Sequence, residues 1–240
     1  MQGDSLILTA HGSVDPRSAA VTHAMAGRIR RLRPWLDVQV AFLERTAPSL
    51  RDVLDATNGG VVVPFLLADA YHASVDIPAV IEASGKAVQR AAVLGEDPAL
   101  LTVLRHRLAE AGASPTDRDL GVIVVAVGSS DAHANQRTAT VASALSAGTR
   151  WAGAEIAFAT GPRPNLDDAV HDLRARGARR VMIAPWFLAP GRITDRVSEF
   201  AARQGFPMSD PLGSHNLVAA TVLDRFDDVV AARHPSESAA

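Results

Sequence analysis

Short, unbroken apolar runs alternate along the chain with longer stretches whose apolar positions recur at helical spacing. Residues 6–10, 38–43 and 61–67 form the first three runs. Each has too few polar positions to face water, so each is predicted as a strand covered on both faces, as in a parallel sheet. The stretches between them are predicted as helices. Asp15 is placed to cap the first, with Pro16 at its first position, and this helix extends to about residue 33. Pro48 opens the second, to about residue 57, and the third covers about 76–90. A short run at 91–94 and a helix over 98–111 close this half of the chain. Strand and helix alternating at this spacing predict an α/β fold.

Residues 111–117, rich in small residues with Pro115, read as a linker, after which the pattern begins again. Gly12, Ser13 and Asp15 match Gly128, Ser129 and Asp131 at an offset of 116, and Phe42, Pro48 and Leu50 match Phe158, Pro164 and Leu166 at the same offset. The segment Pro64-Phe65-Leu66-Leu67-Ala68 matches Pro185-Trp186-Phe187-Leu188-Ala189, Leu94-Gly95 matches Leu212-Gly213, and Arg107 matches Arg225. The order and near-constant spacing predict an internal duplication. The expectation is therefore two similar domains, 1–115 and 116–240, each a parallel sheet flanked by helices and facing the other across a cleft.

Loops that follow the carboxyl ends of parallel strands share one edge of the sheet, where ligands bind. In the first half His11 follows the first strand, Glu44 the second, and His72 comes soon after the third. With strand order 2-1-3 these groups stand on neighbouring strands about 4.8 Å apart and can converge on one centre. Two imidazoles and a carboxylate suit a first-row divalent metal. The aligned positions in the second half are Val127, Thr160 and Ile193, so the ligand set is expected in the first domain alone. Asp76, four residues beyond His72, is placed either to orient that imidazole or to cap the following helix. His23, His106, His133, His171, His215 and His234 have no comparable placement and read as surface or capping residues.

Composition narrows the chemistry. The 240 residues contain no cysteine, which excludes disulfides, thiolate-ligated metal and thiol catalysis by this chain. A net charge of −2 argues against a general nucleic-acid binder. No apolar run reaches the roughly 20 residues of a membrane span, and the first residues lack the features of a signal peptide, so a cytoplasmic location is expected. The nucleotide-binding patterns GxGxxG and GxxxxGK[ST] are missing, as is GxSxG, and Ala10 stands where a histidine phosphatase would carry arginine before His-Gly. The basic residues are arginine except for Lys86. Arginine forks bind carboxylates in two-point fashion.

Together, Ala10-His11-Gly12-Ser13, Ala41-Phe42-Leu43-Glu44, and the segment from Pro64 through His72 to Asp76-Ile77-Pro78 resemble the sirohydrochlorin chelatases of the CbiX/SirB type. The resemblance covers essentially the whole chain, with Ala70 standing where the family often has glycine. It implies insertion of Fe2+ into sirohydrochlorin, for sirohaem, or of Co2+ on the route to cobalamin. The metal is a substrate, and no permanently bound cofactor is implied; His and Glu ligands would accept Ni2+ as well. The family's metal-site histidines fall on His11 and His72, and its catalytic glutamate on Glu44. The expected division of labour is delivery of metal by the histidines and acceptance of pyrrole protons by the glutamate. Because the ring carries eight carboxylates, Arg17, Arg45, Arg137, Arg163 and Arg192 become candidates for holding it. A one-domain form of the family works as a homodimer, so this two-domain chain is expected to be a monomer. The competing expectation is a non-catalytic tetrapyrrole or metal carrier that has kept the fold.

Overall fold

The computed structural model describes residues 5–68, 72–161 and 163–233, with the side chains of His72 and Ala73 outside that description. The first half runs β1 (Ser5–Ala10), α1 (Pro16–Leu32), β2 (Asp37–Phe42), α2 (Leu50–Ala56), β3 (Gly60–Pro64), a π-helical turn (His72–Asp76), α3 (Ile77–Ser84) and β4 (Val88–Arg90). It continues through α4 (Pro98–Glu110) to β5 (Leu120–Ala126), α5 (Ala132–Ser146), β6 (Gly153–Phe158), α6 (Leu166–Ala175), β7 (Arg180–Pro185), α7 (Arg192–Gln204) and α8 (Asn216–Arg233). All pairings are parallel: one sheet has the order β2-β1-β3-β4, the other β6-β5-β7. Two parallel-sheet units flanked by helices are thus the fold read from the sequence, with the expected 2-1-3 order.

Burial explains the unbroken apolar strands. Leu6, Ile7 and Leu8 of the central β1 have no exposed surface. Ile7 packs with Ala41, Leu50, Leu54, Val62 and Ile77 on the face covered by α2 and α3. Its neighbours Leu6 and Leu8 alternate to the opposite face, where α1 and α8 lie. The second sheet repeats this: Ile123, Val125 and Ile183 pack with Leu173, Val197 and Phe200 of α6 and α7.

Four local expectations change. The helix predicted through residue 90 stops at Ser84, because Gly85 takes a left-handed conformation (φ 63°) and its N–H bonds the Glu82 carbonyl. The chain then re-enters the sheet as β4, Val88 opposite Gly60 and Arg90 opposite Val62. The run at 91–94 is therefore no separate strand; it continues beside β3 and its loop through Ala91 N–H to Val62 O (2.8 Å) and Leu94 N–H to Leu66 O (3.0 Å). The second helix begins at Leu50 rather than Pro48, because Ser49 and Asp52 form a reciprocal capping box. The two Ser49 hydrogen bonds, from its side chain and then its backbone, hold the Asp52 carboxyl below the usual carboxylate range. Asp76 makes no side-chain cap: its backbone is already helical where the π-turn runs into α3.

The units also divide the chain elsewhere than at residue 115. One consists of the chain up to Gly95 together with the segment from Ser214; the other is Glu96–Gly213. Thus α4 belongs with the second sheet and α8 with the first. The matched arginines of the duplication show the cause. Arg225 on α8 donates from Nε to Val93 O (3.1 Å) and from its terminal nitrogen to Leu94 O (3.0 Å), closing the last turn of the first unit. Arg107 on α4 donates to Leu212 O (3.4 Å), closing the matching turn of the second. Each arginine satisfies carbonyls that would otherwise lose their partner on burial. Arg225→Ala is expected to cost about 2–3 kcal/mol, read from urea unfolding. Hydrogen exchange should rise in the first unit around residues 90–95, more than 100 positions away along the chain; loosening confined to α8 would contradict this division.

Candidate functional site

The site is built from the ends of β1 and β2. Their register pairs Ala10 with Phe42, and the ladder continues past both strands through Leu43 N–H to Ala10 O and Glu44 N–H to His11 O, each 3.0 Å. Consecutive backbone bonds therefore place Glu44 beside His11. The His11 Nδ1 lies 3.7 Å from Glu44 Oε1, and the two side chains are 43% and 44% exposed. Both are thus fixed at their backbones with their side chains half-exposed, although His11 Nδ1 itself, the atom that faces Glu44, is buried.

Gly12 makes this approach possible. Its φ is +88°, and a Cβ there would stand 1.8 Å from the Glu44 carbonyl oxygen. Thr46 secures the other side: its hydroxyl accepts from Ser13 N–H (3.1 Å) and donates to Ser13 O (2.9 Å). Sequence reasoning missed Thr46, which carries no motif; its role exists only once the two loops are adjacent. Arg45, between Glu44 and Thr46, has φ +58°. Neighbours in an extended strand point to opposite faces, but this left-handed residue turns its guanidinium back, Nε donating to Glu44 Oε1 at 3.0 Å.

The third expected group is His72. Its backbone opens the π-turn after β3, while its side chain lies outside the described residues. The structure thus brings His11 and Glu44 together, and among the described residues no group of three or more His, Asp or Glu is arranged to hold a metal ion. Val14 in the loop after His11 and Val75 in the π-turn are apolar yet 55% and 45% exposed at this same strand edge.

The aligned positions of the second unit are spent on structure. Val127 O accepts from Thr160 N–H (2.9 Å) and from its hydroxyl (2.8 Å), and Ile193 packs against the apolar core. Gly128 repeats the close approach, its absent Cβ 2.2 Å from Thr160 O.

Of the candidate arginines, Arg17 is bound to its neighbour Asp15 (2.6 Å), Arg45 to Glu44 (3.0 Å) and Arg163 to Asp168 (3.2 Å). Arg17 and Arg45 belong to the first unit, whereas Arg137, Arg163 and Arg192 belong to the second. Arg137 and Arg192 are exposed, Arg192 at the first position of α7. Among the remaining histidines, His215 accepts from Leu217 N–H at the start of α8 (3.1 Å), the capping use expected for it. His23 packs edge-on against Phe42. His106, His133 and His171 are exposed, and His234 lies outside the described residues. No helix among the described residues is long and apolar enough to cross a membrane.

Comparison with known proteins adds three findings. The CbiX family profile matches residues 5–111 and again residues 121–229. A protein named sirohydrochlorin ferrochelatase from Priestia megaterium is 26% identical over 234 residues, covering 90% of this chain and 86% of its own. A sirohydrochlorin cobaltochelatase from the same organism is 27% identical over 214 residues, covering 81% and 67%. Among solved structures, SirB from Bacillus subtilis with Fe3+ superposes with a TM-score of 0.81 at 20% identity, over 97% of this chain and 98% of that one. CbiX, described as the terminal enzyme of sirohaem biosynthesis in denitrifying bacteria, superposes with a TM-score of 0.71 at 23% identity, over 94% and 99%. The last two similarities are of fold.

Proposed function

The chain belongs to the CbiX family, and from that premise we propose that it is a sirohydrochlorin chelatase, inserting Fe2+ or Co2+ into the free ring. The observation that carries the reading is the His11–Glu44 pair, 3.7 Å apart at the ends of adjacent strands. The names of its curated relatives, a ferrochelatase and a cobaltochelatase, support the ring and both metals.

Insertion exchanges one divalent cation for two pyrrole N–H protons. Two tasks follow: the cation must be held and then released, and the protons must be accepted. Imidazole and carboxylate ligands bind first-row divalent ions without enclosing them as a thiolate cage would. His11 and His72 hand over the cation, and Glu44 accepts protons as the ring's nitrogens turn to the metal. Val14 and Val75 offer apolar surface on which a flat macrocycle can rest, placing its centre near these ligands and converting an encounter between solutes into one within a bound complex. Arg17 and Arg45 are the candidates for ring carboxylates in the unit that carries His11 and Glu44; exposed contacts of this kind are individually weak, about 1 kcal/mol or less.

The test is anaerobic turnover of sirohydrochlorin by the purified protein with Fe2+, Co2+ and Ni2+, followed by absorbance against the spontaneous rate. Acceleration with Fe2+ or Co2+, lost in both His11→Ala and His72→Ala, is the expected result. Ring binding without acceleration would make the protein a carrier, and unchanged rates in both variants would remove the histidines from the site.

A further inference from the structure

Arg45 occupies Glu44, which the proposed function makes the proton acceptor and which, beside His11, also belongs to the metal-ligand set read from the sequence. Its Nε donates to Glu44 Oε1 at 3.0 Å, the same oxygen that lies 3.7 Å from His11 Nδ1. A divalent cation bridging imidazole and carboxylate would take that oxygen's lone pairs and repel the guanidinium beside it. The two cations, metal and arginine, therefore compete for one group.

The local structure suits an exchange. Backbone bonds from Glu44 to His11, and the Thr46 hydroxyl pair with Ser13, anchor the chain on both sides of Arg45. The arginine side chain is itself 59% exposed. An exposed ion pair is weak enough to yield to a divalent ion. The freed guanidinium would remain tethered at the strand edge where the ring must lie, able to grip a carboxylate through both terminal nitrogens. Arg17, by contrast, is already held by Asp15 through three short contacts.

We propose that Arg45 couples the two substrates: it rests on Glu44 while the metal position is open, is displaced by the incoming cation, and then binds a carboxylate of the tetrapyrrole. Metal loading thereby raises affinity for the ring, and the ring in turn raises affinity for the metal, since the coupling is reciprocal. The inference rests on the chelatase reading and assigns Arg45 a positioning role that this reading does not require.

The test uses the full-length protein and two measurements. Calorimetric titration with Co2+ alone should show tighter binding in Arg45→Ala than in the wild type, by up to about five-fold, the worth of one exposed ion pair. Arg45→Lys, which keeps a cation beside Glu44, should stay near the wild type. In steady state, the wild-type KM for sirohydrochlorin should fall as Co2+ rises, and in Arg45→Ala it should be higher and independent of Co2+. A residue that only supports the loop would give weaker Co2+ binding when removed, and that result overturns the proposal, as does a wild-type KM insensitive to metal. A wild type that accelerates no insertion would instead defeat the chelatase reading itself.

Discussion

Glu44→Gln is expected to slow catalysed metal insertion by about 10²- to 10⁴-fold, the usual worth of a positioned general base, without unfolding the protein. The amide has the shape of the carboxylate, the side chain is half exposed, and its backbone N–H still bonds His11 O. What disappears is the ability to take a proton and the charge that binds a cation. The rate is read from the change in ring absorbance under anaerobic conditions, and urea unfolding should give an unchanged midpoint. His11→Ala should be similarly slow, and the double variant little slower than the worse single one, because groups that serve one reacting centre fail together. Losses that multiply would show that the two side chains act at separate steps.

Gly12→Ala should damage both stability and rate. The left-handed region costs an alanine about 1–2 kcal/mol. Overlap with the Glu44 carbonyl oxygen, 1.8 Å from the new Cβ, costs more. Nothing at the far end of a flexible side chain can give way, since the obstacle is backbone. The total expected loss is about 3 kcal/mol or more, visible as a lower urea midpoint. Relief requires the Glu44 segment to move from His11, and misplacement by about 1 Å can cost 10²-fold in rate. Gly128→Ala is the internal control: its Cβ meets Thr160 O at 2.2 Å, so stability should fall comparably while the rate per folded molecule is retained. Equal loss of rate in both would mean that Gly12 serves the fold and not the His11–Glu44 geometry.

These residues also show where sequence reasoning reaches and where it stops. Strands buried on both faces announce themselves as unbroken apolar runs, and a group directly after such a run must lie at the sheet's carboxyl edge. His11 and Glu44 were therefore legible from the sequence alone. The short β4 was not, because Val88–Arg90 carries one buried position in three and follows a helix whose pattern it continues. Only the left-handed turn at Gly85 separates them. Arg45 was legible as a cation near the site, but not as Glu44's partner, since adjacent residues meet only when the backbone turns between them. The destinations of α4 and α8 were hidden for a different reason. An apolar stripe declares that a helix is covered; it does not say by which of two similar sheets.

That exchange of helices gives the chain an order of assembly. The sheet carrying His11 and Glu44 is made first, yet α8, which covers one face of it, follows the whole second unit in the sequence. Because α8 packs against β3 and α1, a nascent first unit must wait with that face of β3 incompletely covered until residues 216–233 arrive. Division at the 111–117 linker would leave one fragment with a helix that belongs to the other and without the helix it needs. The first unit is thus finished last, and a chain that stops before α8 never encloses the sheet on which its proposed metal ligands stand.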